Sequence, residues 1–131
     1  MMRKQYHFWP AASGSGLIDA WDVDTLIAMS AQLPVEQVEV ASITELDTYY
    51  WSDGTGSSRT IRQIVGHARL ILAADLSYPV ILGFDGRVMD GMHRIARALL
   101  EGQPQVASRR FARPLRPDFV DVRADDLSCQ R

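Results

Sequence analysis

The sequence predicts a small α/β domain of the α+β kind, a mixed sheet with helices packed on it. Three observations carry this expectation. Val80-Ile81-Leu82-Gly83-Phe84 is continuously apolar, as a strand buried on both faces is. Ile61, Ile64, Val65, Ala68, Ile71 and Leu72 recur at helical spacing across residues 60–74. Residues 85–102 read as a tight Asp-Gly turn, a short strand, Gly91, and a helix closed by Gly102. With 131 residues, 47% of them apolar, the chain is long enough for one real core and too short for two comfortable ones. Residues 1–131 are therefore expected to be a single domain, with an arm over 1–16, a body over 17–117 and a tail over 118–131.

In chain order, Tyr6, Phe8 and Trp9 followed by Ala-Ala-Ser-Gly-Ser-Gly have no period, so the arm is expected to lie on the body through its aromatics. Asp22 is placed to cap a helix over 23–32, with Val23, Leu26 and Ile27 inward and Pro34 beyond its end. Residues 36–40 alternate as a half-buried strand, and Ser42 and Glu45 stand at capping-box spacing. Tyr49-Tyr50-Trp51 opens a Gly/Ser/Thr loop that fits neither a P-loop nor a dinucleotide fingerprint. It reads as a surface loop or as a lid whose hydroxyls and Trp51 close over a ligand. Ser58 or Thr60 can cap the next helix, whose stripe is expected to pack on the sheet. Strands follow over 80–84 and 87–90, paired as a hairpin, then a helix from Met92 with Ile95 and Leu99 inward, then a strand over 106–111. Pro114 and Pro117 end regular structure, and the tail, lacking a period, is expected to be dispensable.

The longest apolar run, residues 70–74, is too short to span a bilayer, and no apolar signal core follows the N-terminus, so a soluble cytoplasmic protein with no membrane partner is expected. A single cysteine, Cys129, excludes an intrachain disulfide. Net charge is −2, but residues 17–58 hold eight acids and no Lys or Arg, whereas residues 59–117 hold ten arginines against four acids. The asymmetry fits an anionic ligand on the basic side, or two halves that attract one another. His7, His67 and His93 are spread along the chain without zinc-site spacing, so no metal site is assigned.

Chemistry concentrates at the Gly91 helix. A helix N-terminus offers unpaired N–H groups and the positive end of its dipole to an anion. His93 and Arg94 add side-chain donors in the first turn, and Arg59, Arg62, Ser57 and Ser58 can approach from the facing helix and its preceding loop. The competing reading is structural, with Arg94 paired to a nearby carboxylate such as Asp90.

The order strand, capped turn, loop, helix, apolar hairpin, Gly-x-His-Arg helix, strand resembles the N-terminal domain shared by ParB-type partition proteins and sulfiredoxins. The likeness covers residues 35–111. Gly91, Arg94 and Ala98 match the Gly-Glu-Arg-Arg-x-x-Ala-Ala motif of the former; Gly91, His93 and Arg94 match the Gly-Cys-His-Arg motif of the latter. The resemblance implies a ParB/sulfiredoxin-like fold and a nucleotide, CTP or ATP, held by its phosphates at this helix start: Gly91 allowing close approach, His93 touching phosphate and Arg94 clamping it.

Met92 stands where sulfiredoxins carry the reactive cysteine, which excludes their reductive chemistry. The helix-turn-helix and the Glu-Asn-x-x-Arg segment of partition proteins are absent, so centromere-type recognition is not expected. Nucleotide binding leads, with slow hydrolysis or phosphotransfer if Asp90 or Asp85 serves as base or Mg²⁺ ligand. The alternatives are a DNA-binding or nuclease-like protein using Arg109, Arg110, Arg113 and Arg116, and a non-catalytic interaction module. A homodimer is compatible with each.

Overall fold

The computed structural model describes residues 5–51 and 59–128. Two sheets with helices beside them make a mixed α/β protein, as the apolar strand, the helical stripe and the hairpin predict. The larger sheet comprises β3 (Glu36–Glu39), β4 (Val80–Leu82), β5 (Val88–Asp90) and β6 (Gln105–Arg110), in the order β3-β6-β4-β5. It is mixed: β4 runs parallel to β6, while β3 and β5 pair antiparallel with their neighbours. Val80, Ile81 and Leu82 are all buried, so the apolar run is covered on both faces over these three residues, whereas the strand expected over 80–84 stops at Leu82 and leaves Phe84 exposed.

The smaller sheet joins the expected arm and tail to the first strand of the body. β1 (Tyr6–Pro10), β2 (Ile18–Asp22) and β7 (Phe119–Val122) form it, antiparallel, with β2 central. Asp121 ties its ends together, its carboxylate accepting from the hydroxyls of Ser13 and Ser15 across the sheet. A short helix, Ala124–Ser128, follows, and its Leu127 is almost wholly buried. The expectation that the tail is peripheral is therefore corrected for residues 119–128. Residues 119–122 pair with β2 about a hundred residues away, which no local period reveals.

Helix α1 (Val23–Ser30) starts at Asp22, whose carboxylate accepts from the N–H groups of Asp24 and Thr25. The Ser42–Glu45 box does not form. Ser42 bonds back to the Glu39 carbonyl, and Glu45 Oε2 instead accepts the Val88 N–H at 2.6 Å. Tyr50 donates its hydroxyl to the Val88 carbonyl at 3.2 Å. Val88 lies on the outer edge of the sheet, so these two side chains occupy the backbone groups that another strand would use.

Helix α2 (Ile61–Ala73) opens with a complete capping box, Thr60 accepting from the Gln63 N–H and Gln63 from the Thr60 N–H. Helix α3 (Met92–Leu100) buries Met92, Ile95 and Ala98, not Leu99, beside β4 and β6. The expected packing of α2 on the sheet is also corrected. It lies against α3, and its apolar stripe faces outward, Ile61 being 82% and Leu72 62% exposed. Helical periodicity predicts that a stripe exists but not what covers it.

Candidate functional site

Gly91 precedes α3 with φ 105°, a left-handed conformation that L side chains rarely adopt. A Cβ there would sit 2.7 Å from Val80 Cγ1 and 2.9 Å from Val80 Cβ. The glycine thus lets the helix start press onto the buried strand β4, a packing reason that stands without any ligand.

Arg94 lies on the inner side of this turn. Its Nη2 meets Asp90 Oδ2 at 3.1 Å, and its Nη1 donates to the carbonyls of Tyr78 at 3.2 Å and Pro79 at 2.6 Å. This is the structural alternative raised by the sequence: the guanidinium fastens α3 to the segment entering β4. The pair is only 21% and 15% exposed, and burial raises the Asp90 pKa against the opposing pull of Arg94. Removing the arginine would leave a desolvated carboxylate alone. Arg94→Ala is therefore expected to lower stability by about 3 kcal/mol, read as a reduced urea midpoint, and Asp90→Asn in the same chain to restore part of it.

His93 points the other way, toward α2. Its Nε2 lies 3.0 Å from His67 Nδ1, a hydrogen bond in which one imidazole donates and the other accepts. Trp51 stacks on both rings, with centroids 4.2 Å from His67 and 4.6 Å from His93 and planes within 19°. The imidazoles are 5.2 Å apart, too close to lie on opposite faces of the indole, so Trp51 roofs the pair. Both histidines have lowered pKa values, His67 through burial and then Arg59, His93 through burial and then His67. Each favours its neutral form and resists becoming a second cation beside its neighbour.

A cavity of about 260 Å³ opens alongside, lined by Tyr49, Tyr50, Trp51, Met92 and Ala96, with Glu45 and Arg59 as its charged residues. Burial, reinforced by Glu45, pushes the Tyr50 hydroxyl up to about 12, so it remains a donor to Val88. Met92, at the sulfiredoxin cysteine position, is a buried core residue. Of the residues singled out by sequence, Gly91, His93 and Arg59 gather around this corner. Arg62 is exposed and does not line the cavity; Ser57 and Ser58 lie outside the described residues.

The arginines suggested for DNA are dispersed. Arg109 donates to the carbonyls of Ala31 and Leu33 and Arg110 to that of Phe84, while Arg113 borders a different cavity. Two of the four thus serve as backbone fasteners. His67 was the residue sequence reasoning passed over: it falls off the apolar stripe of α2, but its partner is 26 residues away. Among the described residues no three His, Cys, Asp or Glu side chains converge as a metal site would need, and no helix is long and apolar enough to cross a membrane. Compared with protein-family models, curated proteins and solved structures, the chain matches none of them.

Proposed function

We propose that the protein is a ParB-like nucleotide-binding protein in which the base of CTP or ATP enters the aromatic cavity and the phosphates lie toward His93, Arg59 and the start of α3. The observation that carries this reading is Trp51 itself, which roofs the His67–His93 pair and also walls an aromatic cavity that Arg59 lines. At about 260 Å³ the cavity suits a base, with the sugar and phosphates outside it. Phosphate would then meet Arg59 and the N–H groups at the helix start, where Gly91 supplies no side-chain cap. Arg94 acts through position, holding the helix start against Pro79. Glu45, the carboxylate on the cavity wall, spends Oε2 on the Val88 N–H and would offer Oε1 to a Mg²⁺ that accompanies the nucleotide. Asp90 is committed to Arg94, so the reading is binding and assigns hydrolysis or phosphotransfer no base.

A thermal-shift panel of CTP, ATP and GTP, each with and without Mg²⁺, tests it. At a hundredfold excess over Kd a ligand of the folded state adds about 2.7 kcal/mol, a displacement of several degrees. One or more nucleotides should produce it; a flat panel removes the proposal.

One observation favours a second reading, the non-catalytic interaction module: the exposed stripe Ile61, Ile64, Val65 and Leu72. Arg62 and Arg69 share that helix and no acid does, so α2 of a second copy would bring arginines toward arginines. An apolar, acidic segment of another protein suits it better, and sedimentation velocity should find a monomer.

A further inference from the structure

A second cavity, of about 330 Å³, lies between the two sheets and shares no lining residue with the first. Its walls come from Trp9 and Trp21 of the small sheet, Phe84 beyond β4, and Leu115, with Arg87 between them and Arg113 exposed at the margin. The Arg87 guanidinium sits 4.1 Å over the Trp9 ring and 5.5 Å from Trp21. Its side chain is 14% exposed, yet Nε has no hydrogen-bond partner among the described residues, and its nearest acid, Asp85, is 4.0 Å away. The other carboxylate at this cavity, Asp19, accepts the N–H groups of Ala12 and Asp121 and makes no ion pair with Arg87 among the described residues. His7, packed on Trp9 and Trp21, is 5% exposed and its Nε2 is likewise unpartnered.

A guanidinium packed on two indoles, its buried Nε without a hydrogen-bond acceptor and its carboxylate no nearer than 4.0 Å, next to a second orphaned polar atom and an apolar hollow, is an incomplete arrangement. We propose that this cavity binds a small monocarboxylate with a flat apolar body, its carboxylate meeting Arg87 and its body lying against Trp9, Trp21 and Phe84. Guanidinium forks match carboxylates in bidentate geometry. A dianionic phosphate is disfavoured, because Asp19 and Asp85 border the same space. The inference does not depend on the nucleotide reading.

Benzoate is the probe, with benzamide as its uncharged isostere and phenyl phosphate as the dianion, titrated into the whole chain by calorimetry and tryptophan fluorescence. Saturable benzoate binding is expected, at least tenfold tighter than benzamide or phenyl phosphate, at least tenfold weaker in Arg87→Met, and unchanged in Arg59→Ala. Absence of saturable benzoate binding, or equal affinity in Arg87→Met, overturns the proposal. Should Arg87→Met fail to fold, the wild type decides: benzoate preferred over benzamide sustains the site, and equal binding of the two overturns it.

Discussion

Gly91→Ala is expected to be among the most destabilising single substitutions in this protein, costing about 4 kcal/mol. Two effects add. At φ 105° an L side chain carries strain of roughly 1–2 kcal/mol. The new methyl also meets Val80, which is fully buried, at 2.7 Å, and forcing it in adds about 2–3 kcal/mol of overpacking. The melting temperature should fall by roughly 12 °C or more, measured by circular dichroism. Val80→Ala in the same chain opens the space the methyl needs but not the backbone conformation, so it should recover only part of the loss. An unchanged melting temperature in Gly91→Ala would mean that the glycine serves a ligand and not the fold.

The second large effect is acid destabilisation through His7. Burial, then the neighbouring Arg87, pushes its pKa from 6.5 down to about 4, against a smaller opposing influence of Asp85. The folded state binds the proton less readily than the unfolded chain does. Stability from this group is therefore fully present above pH 6.5 and is lost as pH falls from 6.5 toward 4. A displacement of that size corresponds to about 3 kcal/mol at the acid end. His7→Phe keeps a flat ring against Trp9 and Trp21 and removes the titration. Urea unfolding at pH 7.5 and 4.5 should show a much smaller loss in the variant than in the wild type; parallel losses would contradict the assignment. His67 and His93 are shifted the same way and contribute a residual acid sensitivity common to both proteins.

Local chemistry is what the sequence makes legible. Asp22 before Val23 predicts the cap that forms, and Asp85-Gly86 between two apolar runs predicts the β4–β5 hairpin, because both depend on residues a few positions apart. The helix at Met92 follows in the same way, although its buried positions are Met92, Ile95 and Ala98, a rotation that leaves Leu99 exposed. What stays hidden depends on distant partners. Phe119-Val120-Asp121-Val122 has no telling period, yet it completes a sheet with β2. Glu45 reads as half of a capping box but is drawn away to the Val88 N–H, 43 residues on. The candidate site divides along the same line: Gly91 and His93 stand out by motif, while the Trp51–His67–His93 stack requires three separate segments to meet. Arg94 shows the limit most clearly, since a phosphate clamp and an ion pair with Asp90 make identical demands on sequence and only geometry reveals the ion pair.

Titration calorimetry of CTP and ATP in two buffers of different ionisation enthalpy decides whether a nucleotide binds in the aromatic cavity beside Trp51 with its phosphates toward Arg59 and His93. A phosphate beside the histidine pair favours the charged imidazole that burial and the neighbouring His67 disfavour at His93, so binding should be accompanied by proton uptake and tighten as pH falls toward 6. Arg59→Ala removes a charge-assisted contact worth about 1.5–3 kcal/mol, so affinity should drop roughly tenfold to a hundredfold. Binding, proton uptake and that drop are expected together; no nucleotide heat, or equal affinity in wild type and Arg59→Ala, would overturn the nucleotide site.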